Sequence, residues 1–222
     1  MSYRTQTASN ISYLSTHKVL RNTYALLGLT MIFSAFTAWV SVQLQLPHPG
    51  LLPMLAGFYG LSFLTQRYSH SAMGVLFAFL FTGFLGYTTG PIIGMLLKST
   101  TNGYQILGMS LATTGITFLA LSSYVLATGR DMSYLGGALF TLAVTGFVLS
   151  LASIFLGSPI LHVVVSAIFA LMSSGFILFH TSQIINGGER NYIVATISLF
   201  IAIYNLFLSL LRIFMMFGGQ RD

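Results

Sequence analysis

The sequence predicts an all-α fold, a polytopic integral membrane protein built as a seven-helix bundle, and three observations carry that prediction. Of 222 residues, 55% are hydrophobic and only 5% charged, so a water-soluble domain of this size would leave most of its surface apolar. Apolar segments long enough to cross about 30 Å of hydrocarbon, at about 1.5 Å per helical residue, recur along the whole length and leave no room for a separate soluble domain. The joints between them are short and carry Gly, Pro and Asn, which end helices and make consecutive segments antiparallel neighbours.

Taken in order, residues 1–22 read as a polar cytosolic tail, rich in Ser, Thr, Asn and Gln and closing on His17, Lys18 and Arg21. That composition predicts little fixed structure. The tail does not read as a signal peptide, because its charges come late and the next apolar run is of spanning length. A transmembrane domain is expected over 23–217, with segments at about 24–46, 51–65, 72–97, 104–128, 134–156, 160–185 and 192–217. The second segment is the shortest, near the lower limit for a span, and a re-entrant reading would remove it. Charge placement weighs against that removal. With seven spans, Arg4, Lys18, Arg21, Arg67, Arg130 and Arg190 share the cytoplasmic side while Lys98 and Arg221 lie outside, which is the bias that bacterial and other membrane proteins display. Without the second span, Arg67, Arg130 and Arg190 would all face outward. The N-terminus is therefore expected in the cytoplasm and the short tail 218–222 on the outer side.

The third segment holds Gly86, Gly90 and Gly94 at steps of four, a small-residue face that lets a neighbouring helix approach, and Pro91, which removes a backbone donor and predicts a bend. The carbonyl that Pro91 frees, near Gly86 and Tyr87, is a candidate lining for a polar cavity. In the sixth segment Ser166, Ala170, Ser173, Ile177 and His180 follow one stripe; in the seventh Ser198, Ala202, Asn205, Ser209 and Arg212 do the same. Two small-polar stripes on segments joined by a hairpin predict either tight packing with interhelical hydrogen bonds or a solvated path. His180 lies about 9 Å from the loop by helical rise, where one or two hydrogen bonds would satisfy a neutral imidazole and where proton handling is the sharper alternative. Arg212 is expected to reach for the headgroups.

Composition also excludes. With no cysteine, disulfides and thiolate metal sites are absent, and the three acids Asp131, Glu189 and Asp222 sit in loops or at the end of the chain, so no carboxylate is expected at membrane depth. The net charge of +6 is scattered, which suits topology and anionic lipid better than nucleic acid. There is no His-Glu-x-x-His helix, no phosphate-binding glycine loop followed by Lys, and no serine elbow, since Ser62 has no glycine after it. Neither an enzyme nor a cofactor or metal site is expected.

The run from Gly83 to Pro91, the loop Asp131-Met-Ser-Tyr-Leu-Gly-Gly137, and the stretches Leu178-Phe-His180-Thr-Ser-Gln-Ile-Ile-Asn-Gly-Gly-Glu-Arg-Asn-Tyr-Ile193 and Ser198 to Phe207 resemble the Bax inhibitor-1 family. Leu14 to Tyr24 resembles its bacterial inner-membrane branch, described as modulators of the membrane-anchored FtsH protease. The resemblance implies a seven-helix fold with helix seven central, and FtsH protease as a partner in membrane protein quality control. For other members it implies a pH-sensitive calcium leak governed by two aspartates, at the positions that are His180 and Ala202 here. A histidine opposite an alanine cannot share a proton as two carboxylates do, nor attract a divalent cation as they would. A proton or cation leak channel is thus the alternative expectation, weakened by the loss of both aspartates.

Overall fold

The computed structural model describes the backbone of residues 2–218 and the side chains of residues 17–218 other than Ile154. The outer tail expected at 218–222 lies, beyond Gly218, outside these residues. Seven helices follow in order: α1 Ser2–Gln43, α2 Leu51–Arg67, α3 Ala72–Ser99, α4 Gly103–Thr128, α5 Leu135–Leu156, α6 Pro159–Ile185 and α7 Tyr192–Gly218. Each expected segment overlaps one of them. Six contain a stretch long and apolar enough to cross a membrane: His17–Gln43 of α1, Leu135–Ser153 of α5, and α3, α4, α6 and α7 throughout. Helix α2 has 17 residues, a rise of about 25 Å, a little short of about 30 Å of hydrocarbon.

The amino-terminal segment differs from expectation. Instead of lacking fixed structure, it continues α1 back to Ser2. The chain has no Gly before Gly28 and no Pro before Pro47, so nothing in the backbone interrupts a helix propagating outward from the apolar part of α1. At the other ends the punctuation is conventional. Gly129 and Gly157 take left-handed φ values of 62° and 58°, and their N–H groups donate to the Val125 and Ser153 carbonyls at 2.9 and 3.1 Å, closing α4 and α5.

Contacts gather the chain into two units: the first is the chain as far as Pro91 with Ser182–Phe200, the second Ile92–Thr181 with the chain from Ile201 onward. The divisions fall inside α3, α6 and α7. Within the first unit the Phe33 ring of α1 meets Phe79 of α3 edge-on at 5.4 Å, and buried Phe81 meets Phe58 of α2 at 5.5 Å. Thr196 of α7 donates to its own Tyr192 carbonyl at 2.7 Å and stands 3.3 Å from the Thr23 carbonyl of α1. Within the second unit, buried Leu96, Ile106 and Leu211 draw together the end of α3, the start of α4 and the end of α7.

Burial is uneven. The most apolar stretch of α7 is 56% buried and that of α3 50%, against 11% for α5. Large apolar side chains such as Leu52, Phe155 and Leu171 are exposed instead, as a lipid-facing surface requires. Buried hydroxyls are mostly answered by their own helix. Thr30, Thr82, Ser110 and Thr114 donate to carbonyls three or four residues back at 2.6 to 3.0 Å, the local solution open to Ser and Thr where no water competes.

Candidate functional site

The Gly-Pro run of α3 is built against α1. A methyl added at Gly86 would overlap the Ser34 carbonyl and Thr37 Oγ1, and one at Gly90 would overlap the Ser41 side chain, whereas one at Gly94 would meet nothing within 4 Å. Close approach thus ends at Gly90. Pro91 lies inside α3 and cannot bond the Tyr87 carbonyl four residues back. Ser41 Oγ donates to that carbonyl at 3.0 Å, so the group expected to line a polar cavity is instead satisfied by α1. The Tyr87 hydroxyl donates to the Pro47 carbonyl at 3.0 Å, tying α3 to the α1–α2 joint as well.

The α6–α7 loop is ordered by its own polar groups. Gly187 adopts a left-handed φ of 77°, the Glu189 N–H donates to the Gln183 carbonyl at 3.0 Å, and Glu189 Oε1 accepts from the Asn191 N–H at 2.7 Å. Asn191 then does two things. Its Oδ1 accepts from the Ile193 and Val194 N–H groups at 2.9 and 3.3 Å, capping α7, while its Nδ2 donates to the Ser69 carbonyl at 3.1 Å. The second bond joins the α6–α7 loop to the α2–α3 loop. Between them lies a cleft of about 930 Å³, lined by Ser69, His70 and Ser71 on one side and by Gly187 to Asn191 on the other. It presents both signs of charge, from Glu189 and Arg190, together with an imidazole.

The residues of the α6 and α7 stripes fall as follows. His180 is half-buried, its ring stacked on Phe176 at 5.7 Å and edge-on to Phe179 at 5.3 Å. Among the described residues it makes these ring contacts and no hydrogen bond, so aromatic packing takes the place of the bonds expected for it. Ser166 is buried and donates to the His162 carbonyl at 2.8 Å. Ser173 is buried with a hydroxyl that has no partner among the described residues. Ala202 and Ser209 are buried, and Ser198 and Asn205 are half-buried. Next to His180, α6 also meets α4, where the Ser122 and Thr181 hydroxyls stand 3.4 Å apart.

Ser69 and Asn191 fall in the joints that the expected segments leave at 66–71 and 186–191. The available signal was their shared side: alternating spans put the α2–α3 and α6–α7 joints at one membrane face. Asn before an apolar run is also a helix-start signature.

Comparison with known proteins follows the same lines. The family described as Inhibitor of apoptosis-promoting Bax1 matches residues 16–219. The protein named Modulator of FtsH protease YccA in Escherichia coli (strain K12) is 52% identical over 202 residues, 91% of each chain. The Inner membrane protein YccA of Escherichia coli O6:H1 matches over the same extent. An uncharacterized protein of Pseudomonas aeruginosa is 49% identical over 91% of this chain and 90% of its own.

Proposed function

Because the chain belongs to the family of inhibitors of apoptosis-promoting Bax1, we propose that it is an inner-membrane modulator of an FtsH-type protease, acting in membrane protein quality control as an inhibitor or slowly degraded substrate. The observation that carries this is the 52% identity, over 91% of both chains, with a protein named for that role. In this reading all seven helices cross, with α2 spanning by local thinning of the bilayer, the N-terminus in the cytoplasm and the C-terminus in the periplasm. The placement of Lys and Arg supports the orientation, and the deep burial of α7 supports its central position. The cleft between the α2–α3 and α6–α7 loops then opens to the cytoplasm, on the side that also carries the polar start of α1, the end a processive protease would grip.

Copurification from membranes tests the proposal. Association with FtsH in mild detergent is expected, and removing residues 2–16 is expected to alter both the turnover of this protein and its effect on FtsH substrates. Failure to associate, with turnover and substrates unchanged by the deletion, sinks it. A cation leak is the second reading, favoured by the unpartnered buried hydroxyl of Ser173 on the same stripe as His180. Flux in liposomes from the same preparation separates the two; absence of flux, or flux indifferent to His180→Ala, removes the leak.

A further inference from the structure

The second unit contains a cleft that neither reading uses. It has a volume of about 410 Å³ and lies where the ends of α5 and α7 meet the start of α6, with Ser150, Ser153, His162, Ser166 and Arg212 as its polar lining and Met216 among its apolar lining. All the polar residues sit within seven residues of a helix end, hence within about 11 Å of it. Helix α7 has 27 residues, a rise of about 40 Å against about 30 Å of hydrocarbon, so its last turns stand among the headgroups. Arg212, six residues before Gly218, reaches that layer with its side chain.

From this arrangement we infer that the cleft holds the phosphodiester headgroup of an anionic glycerolipid. Arg212 is exposed and has no ion-pair or hydrogen-bond partner among the described residues, and none of the described residues lining the cleft is Asp or Glu. Its guanidinium fork is the side chain best matched to phosphate oxygens. The His162 ring and the Ser150 hydroxyl supply further donors. Ser153 and Ser166 differ, because their hydroxyl protons are already given to the Ser150 and His162 carbonyls at 2.8 Å. They are left as acceptors, which suits a headgroup bearing hydroxyls of its own, such as glycerol. Phe155, Leu156, Ile160 and Phe217, on the same helix ends, are exposed and apolar. They favour a lipid over a free phosphate, since acyl chains have somewhere to lie.

The test is native mass spectrometry of the full chain in mild detergent, titrated with dioleoylphosphatidylglycerol, dioleoylphosphatidylcholine or inorganic phosphate. A preference of about fivefold for the anionic lipid is expected, the size of one cation's attraction at a membrane surface. Arg212→Gln should abolish it, Arg212→Lys should keep part of it, and Lys98→Gln should leave it unchanged. His162→Gln, at an exposed position, should lower it too and serves if Arg212→Gln fails to fold. No preference, a preference that survives Arg212→Gln, or an equal loss on Lys98→Gln overturns the site. Displacement of the lipid by millimolar inorganic phosphate would keep the phosphate chemistry and overturn the lipid as its source.

Discussion

Asn191 concentrates more bonds in one side chain than any residue the stripes contain, and its loss should be felt twice. Asn191→Ala removes the α7 cap and the bond to Ser69 together, and is expected to cost about 1–3 kcal/mol. Asn191→Asp keeps the accepting oxygen and loses the donating nitrogen, so it should recover the cap and not the link between loops. Thermal unfolding in detergent measures both, and equal losses for the two variants would show that the Ser69 bond carries the whole effect. His180 shows the reverse relation between sequence and structure. Its position was conspicuous because a charge-capable residue is rare in an apolar run, yet its partners, Phe176 and Phe179, are a helical turn and a single step away and gave no polar signal. Asn191 was inconspicuous because Asn is common in loops, and a bond to a backbone carbonyl 122 residues away leaves no pattern in the chain.

At the scale of the helix, glycines that look alike in sequence do different things. Gly86, Gly90 and Gly94 share a face, but α1 presses on the first two only. Gly86→Ala must therefore displace backbone and is expected to destabilise by about 1–3 kcal/mol, whereas Gly94→Ala should be neutral or stabilise by up to about 1 kcal/mol. Equal effects in reversible unfolding would refute the α1–α3 contact. The helices themselves were legible: runs of apolar residues and the Gly, Pro and Asn between them locate all seven to within a few residues. The exception is the start of α1, where composition pointed to an unstructured tail. Polar composition speaks to whether a segment can bury surface, and a helix continued from a neighbouring apolar segment does not need to.

For the whole molecule, the prediction concerns sidedness. Reporter fusions at the N-terminus and after residue 218 should report opposite faces of the membrane; the same face for both would mean that α2 does not cross. The number of helices could be read from the chain because each is bounded by its own punctuation. The two units could not, because their boundaries at Pro91, Thr181 and Phe200 lie within continuous helices, where composition does not change. The bond from Ser41 to the carbonyl vacated by Pro91 has a consequence for biosynthesis. Its ends are 46 residues apart, and at about 5–20 residues per second the ribosome needs several seconds to deliver the second after the first. During that interval Ser41 must turn its hydroxyl to its own helix, and α1 waits in the bilayer without its partner. The α1–α3 contact is in this sense timed by translation: a pause between codons 41 and 87 lengthens the interval in which α1 lacks α3, and the arrival of α3 ends it.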